Sequence, residues 1–252
     1  MNKNVLYPIV LLFIILLVSC EGRRERRSES TVTIEGDEAA REVRFYSYDE
    51  YQEHPDAILE MYSPLGNQNF QSTKVPFEFN IKNYPFAEGG RGFQLKMSIN
   101  GNDPVGYNMP MFQKELNQGT YRAVAYLVNE EGLALKEFGN YVDRDFTVLD
   151  SQPFPVSNDP FLVVNMPLND QVYEEGEEII VDFLVLDGVP QEDGFEILIK
   201  FNQYEYRTKE VIPVRVDELP AGDYDLEIKL LGKNGAEMEG VFTSTRKRIR
   251  IN

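Results

Sequence analysis

The amino-acid sequence predicts an all-β chain: two tandem antiparallel β-sandwiches behind an N-terminal export segment and a flexible tether. Two observations predict the body. Apolar residues recur at every second position in successive short runs, and much of the second half repeats the first at a spacing of 103 residues. Alternation of this kind is what a strand with one buried face requires, because successive side chains point to opposite sides of a sheet. No segment holds a sustained helical period. A third observation concerns the start of the chain, where an apolar run from Ile9 to Val18 ends beside Cys20, the only cysteine among 252 residues.

The export segment comes first. Lys3 supplies a basic start, the apolar run follows, and Ser19 is a small residue before a cut, so residues 1–19 have the pattern of a secretory signal. A spanning helix needs about 20 apolar residues, more than this run provides. Leu17-Val18-Ser19-Cys20 resembles the lipobox of bacterial lipoproteins. That resemblance implies that Cys20 becomes the new amino terminus, carries acyl chains such as palmitate and holds the chain on a membrane. It further implies a place in the envelope of a Gram-negative bacterium, the outer membrane being favoured over the inner.

Residues 20–56 belong to neither repeat. Arg23-Arg24-Glu25-Arg26-Arg27 and the polar residues after it read as a solvated tether. The stretch Val43-Arg-Phe-Tyr-Ser-Tyr-Asp-Glu-Tyr51 is too aromatic for a tether and is expected to dock on the first repeat. The first repeat spans 57–150, and the second spans 161–252. Pro64-Leu65 recurs as Pro167-Leu168, Pro110 as Pro213, Leu116 as Leu219, Leu127 as Leu230 and Gly132 as Gly235. Phe146 and Val148 match Ile249 and Ile251. Between these anchors the spacing slips to 102, aligning Phe77, Phe79 and Ile81 with Ile179, Val181 and Phe183, and Phe93, Leu95, Met97 and Ile99 with Phe195, Ile197, Ile199 and Phe201. Turn residues such as Asn100-Gly101 and Asn234-Gly235 separate the runs, as in a sandwich. The linker 151–160 holds three prolines, which stiffen a connection and cannot donate to a ladder.

Leu116-x-x-Gly119-x-Tyr121 recurs as Leu219-x-x-Gly222-x-Tyr224. This pattern resembles the tyrosine-corner region of immunoglobulin-like and fibronectin-type domains, and the resemblance covers about residues 57–252. It implies that the Tyr121 and Tyr224 hydroxyls bond back to nearby backbone. The cysteine and tryptophan of antibody domains are missing, so the likeness is to bacterial Ig-like modules. It implies an architecture and no activity.

Composition narrows the function. A formal charge of −17 repels phosphate backbones and argues against a nucleic-acid partner. Membrane attachment must therefore come from the lipid on Cys20. With that thiol acylated the chain has no disulfide, and packing alone stabilises it. The absence of tryptophan weakens a carbohydrate reading, since a flat indole commonly stacks on a sugar ring, although tyrosine can substitute.

Few residues suggest chemistry. Met109-Pro110-Met111 could hold a soft metal, but its repeat counterpart Ile212-Pro213-Val214 cannot, so the methionines are expected to pack in a core. His54, the only histidine, precedes Pro55 in a polar stretch and reads as a loop residue. The acidic runs Glu174-Glu175-Gly176-Glu177-Glu178 and Asn100-Gly-Asn-Asp103 lack the fixed spacing of a calcium loop and read as solvated turns. No metal, nucleotide or other small-molecule cofactor is predicted. The difference between the repeats says more. If Tyr121, Ala123, Ala125 and Leu127 face a core, Arg122, Val124, Tyr126 and Val128 face outward, where the second repeat has Asp225, Glu227, Lys229 and Leu231. An outward apolar row needs a cover. Val124, Tyr126 and Val128 thus form the candidate binding surface, to be covered by residues 43–51 or by an external partner, the internal cover being favoured. The basic final strand, with Arg246, Arg248 and Arg250, is expected to pair across strands with the acids at 225 and 227.

Together these observations predict a membrane-anchored envelope lipoprotein that acts as a non-catalytic binding or spacer module, with an envelope protein or glycan as partner. The alternative is a carbohydrate-binding accessory using exposed Tyr107, Tyr204 and Tyr206.

Overall fold

A computed structural model describes residues 29–32, 43–48, 54–86 and 95–252. Cys20, the export segment, most of the tether and Phe93 lie outside the described residues. Two strands, β1 (Glu29–Val32) and β2 (Val43–Ser47), precede the repeats. The first repeat supplies β3 (Ile58–Ser63), β4 (Gln68–Phe70), β5 (Lys74–Lys82), β6 (Leu95–Ile99), β7 (Val105–Tyr107), β8 (Met111–Glu115), β9 (Gly119–Leu127) and β10 (Tyr141–Val148). The second supplies β11 (Phe161–Met166), β12 (Gln171–Tyr173), β13 (Ile179–Leu186), β14 (Glu196–Phe201), β15 (Tyr204–Thr208), β16 (Val214–Asp217), β17 (Gly222–Leu231) and β18 (Ser244–Ile251). A short helical turn, Pro190–Gly194, joins β13 to β14.

The repeats share one topology. In the first, a sheet ordered β3-β5-β8 faces one ordered β4-β10-β9-β6-β7; in the second, β11-β13-β16 faces β12-β18-β17-β14-β15. Pairing is antiparallel except that β4 runs parallel to β10 and β12 parallel to β18. The fold is therefore all-β, built from two Ig-like sandwiches of the fibronectin type.

Alternation decides each core. In β5, Val75, Phe77 and Phe79 are buried while Glu78 is exposed. In β17, Tyr224, Leu226, Ile228 and Leu230 turn inward between Asp225, Glu227 and Lys229. The first core gathers Leu59, Phe77, Leu95, Met97, Leu127 and Phe146, and the second Val164, Val181, Phe183, Ile197, Phe201 and Ile228. Burying each such side chain contributes about 1.5–3 kcal/mol relative to exposure.

Three strands at the junction break the one-face rule, among them β11, where residues 161–165 are all buried. In β9 the inward Ala123, Ala125 and Leu127 and the outward Val124 and Tyr126 are all buried. In β13 the run Val181-Asp-Phe-Leu-Val-Leu186 is buried throughout. Strands covered on both faces carry continuous rather than alternating apolar sequence.

The aromatic segment at 43–47 docks elsewhere than the sequence suggests. β2 pairs antiparallel with β16 of the second sandwich, matching Phe45 with Val216 and Ser47 with Val214, and β1 adds beyond it. Val43 and Phe45 enter the second core fully buried. Phe45 stacks on Tyr206 at 5.5 Å, and Ser47 Oγ lies 2.9 Å from the Tyr206 hydroxyl. An edge strand presents unpaired backbone groups, and the β16 edge binds this segment through them.

The two tyrosines are placed alike. Tyr121 Oη donates to Asn117 O at 2.8 Å, and Tyr224 Oη donates to Pro220 O at 2.8 Å, each four residues upstream. Burial pushes the Tyr224 hydroxyl up to about 12. Tyr224→Phe leaves a half-buried carbonyl without its donor and is expected to lower stability by about 1 kcal/mol. Tyr121→Phe, at a more exposed position, is expected to cost less, and urea unfolding of both variants measures the difference.

Candidate functional site

The outward row of β9 meets the second sandwich. Val124 and Tyr126, with Val128 just beyond the strand, are at most 2% exposed and pack against Phe161 and Val163 of β11 and Leu184 and Leu186 of β13. Ala134, Tyr141 and Phe242 complete this cluster. The candidate binding surface is therefore not free: the second sandwich covers it, and residues 43–48 lie elsewhere, on β16. The outer face of the β9 sheet lies on the outer face of the β11-β13 sheet, so four β layers stack. The same positions in the two repeats differ because only one outer face of each sandwich is used: β11 and β13 bury apolar residues outward where β3 and β5 present Ile58, Glu60, Tyr62, Glu78 and Asn80 half-buried or exposed.

A polar network crosses this apolar contact. Asp182 on β13 is fully buried and accepts from Ala134 N at 2.7 Å, Asn165 Nδ2 at 2.6 Å and Lys136 Nζ at 2.5 Å. Asn165 on β11, also fully buried, receives Lys96 Nζ at 2.8 Å and the Tyr126 hydroxyl at 3.1 Å on its Oδ1, and its Nδ2 also donates to Gly132 O at 2.8 Å. Ala134, Lys136, Lys96, Tyr126 and Gly132 belong to the first repeat; Asn165 and Asp182 belong to the second. Desolvating an ion costs several kcal/mol, and the three donors on Asp182 offset that cost. Among the described residues no buried side-chain nitrogen or oxygen lacks a partner.

Further bonds fix the rim. Lys247 Nζ, 3% exposed, reaches Asp103 at 2.6 Å, and Asp103 also accepts from Asn169 N at 2.9 Å. Burial pushes the Lys96 and Lys247 ammonium groups down, and it pushes the Tyr126 hydroxyl well up, aided by the Asp182 charge. Arg122, ion-paired with Asp145 at 2.6 Å, lies 4.4 Å from the Phe161 ring and 5.9 Å from that of Phe154 in the linker. Gln118 Nε2 holds Asp150 O at 2.6 Å, and Thr120 Oγ1 bonds Gln152 O. At the Asn100-Gly101 turn, with φ of 53° and 70°, a Cβ on Gly101 would stand 3.3 Å from Phe242 Cδ1. Glycine there lets the second sandwich approach. Beside the junction, Tyr62, Phe138, Tyr141, Asp143 and Asp187 line a groove of about 580 Å³.

The remaining sequence-predicted residues fall as follows. Met109 and Met111 are 58% and 63% exposed and are not core residues. The ladders match Pro110 with Phe79 and Val214 with Val181, so the repeat spacing in this strand is 104, and a one-residue slip moves every side chain to the other face. Tyr204 and Tyr206 are 9% and 5% exposed, and Tyr107 stacks on Phe112 at 3.8 Å, so these rings do not form an exposed sugar platform. His54 stands edge-on to Tyr84 at 4.9 Å. Glu178 pairs with Arg215 at 3.1 Å, and the Glu177 carboxylate accepts from Glu174 N. Among the described residues no group of three or more His, Cys, Asp or Glu is arranged to hold a metal ion. Arg250 pairs with Asp223 at 2.6 Å, Arg248 with Asp170 at 3.0 Å, and Arg246 with Glu227. Sequence reasoning missed Asn165 and Asp182, polar residues inside apolar runs, where a buried partner was the available signal.

Sheet order, the parallel pairing of the second strand of each repeat with its last and the tyrosine corner together define a tandem Ig-like, fibronectin-type β-sandwich protein. No family model matches the chain, and no curated protein matches it. Among solved structures it is similar to the fibronectin(III)-like modules of Clostridium thermocellum CbhA, with 10% identity over 77% of this chain and 94% of that one and a TM-score of 0.29. It is also similar to three N-terminal domains of the bacteriophage RB49 outer capsid protein Hoc, with 11% identity over 78% and 69% of the two chains and a TM-score of 0.24. A Corynebacterium diphtheriae protein described as membrane anchored shares 12% identity over 77% and 58%, with a TM-score of 0.26. These likenesses concern the sandwich architecture alone.

Asp182→Ala leaves Lys136 without its carboxylate and is expected to cost about 3–5 kcal/mol in urea unfolding. Asp182→Leu combined with Lys136→Met is expected to cost less than about half of that, since no charge is stranded. Because Lys96 and Lys247 release their protons at lower pH when folded, the unfolded chain binds more protons between that depressed value and the ordinary lysine range. Their contribution to stability therefore rises with pH through that window. Tyr126 acts oppositely, its contribution being lost above about pH 10, where an unfolded tyrosine ionises. Lys96→Met is expected to flatten the alkaline rise in unfolding free energy measured below that point.

Proposed function

We propose that the chain is a lipid-anchored envelope protein whose joined sandwiches form a stiff, non-catalytic arm that presents a binding edge away from a membrane. The observation that carries this reading is the junction, where an apolar row, a satisfied buried network and a bonded linker join the two sandwiches. An arm transmits position only if its halves do not rotate freely, and domains joined by a large apolar contact have lost the independent motion that is otherwise the default. The Leu17–Cys20 motif supports the anchor, and the arginines after it supply a polar spacer whose positive charges favour anionic headgroups by about 1 kcal/mol each near the surface. The acidic body keeps the rest of the chain off that surface. The burial of Tyr204 and Tyr206 removes support from the carbohydrate reading.

Expression in a Gram-negative host followed by fractionation tests the anchor. The membrane-bound product is expected to begin at Cys20 and carry acyl chains by mass spectrometry, and Cys20→Ser is expected to abolish acylation. An unmodified Cys20 thiol on the exported chain would contradict the proposal.

A further inference from the structure

We propose that the free edge of β8 in the first sandwich is a docking site for an extended strand of a partner protein, which adds antiparallel to it as β2 adds to β16. The inference deepens the binding-module reading and rests on it for its biology, while its chemistry comes from the repeat itself. The two sandwiches share one topology, yet among the described residues only one of two equivalent edges is filled. Among the described residues β8 is bonded on one side, to β5, whereas β16 lies between β13 and β2. Phe79 N donates to Pro110 O at 2.8 Å, so alternate residues Pro110, Phe112 and Lys114 turn their backbone groups toward β5. Met111, Gln113 and Glu115 then turn theirs outward. The pairing of Gln113 with Pro76, which has no N–H to give, agrees with that phase. In the second sandwich the corresponding outward groups are used: Tyr48 N donates to Pro213 O at 2.9 Å, and β2 continues in register along β16.

The side chains tell the same story. In the second sandwich Phe45 of β2 stacks on Tyr206 of β15, leaving it 5% exposed. The ladder positions that match Tyr206 to Ile199 match Val105 to Met97, so Val105 of β7 is the counterpart of Tyr206. Val105 is 48% exposed on the inward-facing side of β7, while Met111, paired with Glu78, turns to the outer face of its own sheet. Val105 thus stands open where the other repeat buries its counterpart Tyr206 under a strand, and strand addition supplies main-chain bonds along the edge with pockets for alternate side chains. A second copy of this chain is a poor occupant, because two bodies of charge −17 repel each other. Moving β2 from one copy to another would open one edge for each it closes. The fitting occupant is a non-acidic segment with an apolar residue at every second position, the chemistry of Val43-Arg-Phe-Tyr-Ser47.

The test uses the full chain in detergent micelles and a synthetic peptide of residues 43–48 carrying a benzophenone side chain at the Phe45 position. After irradiation, cross-links mapped by mass spectrometry are expected on β7 and β8 around Val105 and Phe112, at a yield at least about tenfold above that of a scrambled peptide, the ratio set by about 1.4 kcal/mol. Gln113→Pro removes one outward N–H at an edge position that tolerates proline and is expected to abolish the cross-link with an unchanged thermal midpoint. Val105→Lys provides a second variant that leaves the backbone intact and is expected to weaken it at least several-fold. Cross-links confined to β15 and β16, a yield equal to the scrambled peptide, or a signal that survives both variants would overturn the proposal. Sedimentation of the chain alone as a dimer that blocks the peptide would overturn it in favour of a second copy. Acylation of Cys20 is not needed for any of these readings, so failure here and failure of the anchor are separate results.

Discussion

The outer face of β9 cannot be left in water, and most of the architecture follows from that. Val124, Tyr126 and Val128 form a contiguous apolar row, and β11 and β13 present a matching one in Phe161, Val163, Leu184 and Leu186. Each row needs a cover and each is the other's cover. Their contact fixes the relative orientation of the sandwiches, requires glycine at position 101 and holds the linker against β9. The buried Asp182 and Asn165 add direction, because a carboxylate with three donors is satisfied in one arrangement and stranded when the faces slide. Whether such a network adds net stability over an apolar replacement is a separate matter; its geometric selectivity is what distinguishes this junction from a greasy patch.

The inner faces of both sandwiches were legible in sequence because alternation reports a half-buried strand directly. Phe77 and Phe79 or Leu226 and Ile228 need no further information. The outward row on β9 was legible too, as an apolar set needing a cover. Its cover was not, although the signal was present: Phe161-Leu-Val-Val164 and Phe183-Leu-Val-Leu186 are continuous apolar runs, as in strands buried on both faces. Reading only their inward residues hid the junction. The destination of residues 43–47 could not be read, since strand addition depends on which edge is open and on a ring stack between Phe45 and a residue 161 positions away, Tyr206. The methionines at 109 and 111 illustrate a third limit. Aligning repeats by proline identity gave a spacing one residue from that of the ladder, and in a strand one residue exchanges inside for outside.

Charge is arranged by the same layers. Acidic residues dominate the chain, while the outer face of β18 carries Arg246, Arg248 and Arg250 against acids on neighbouring strands and turns. These exposed pairs contribute at most about 1 kcal/mol each, too little to shape the fold, but they place charge along an outer sheet face and discourage stray association there. The β8 edge carries Lys114 and Glu115 at one end, but Val105 and Met109 at its other end are apolar and exposed. Among the described residues, the contrast between a β16 edge filled by β2 and a β8 edge bonded only to β5 is the main asymmetry that the duplication has left on the surface.

Whether the two sandwiches move as one body, joined through their outer faces, is measured by pulsed electron resonance. Spin labels would be placed at Gln113→Cys in the first sandwich and Arg246→Cys in the second, in a Cys20→Ser background. A single narrow distance distribution is expected, unchanged by salt and broadened by Val124→Asp. A broad or multimodal distribution in the otherwise unaltered protein would contradict a joined body.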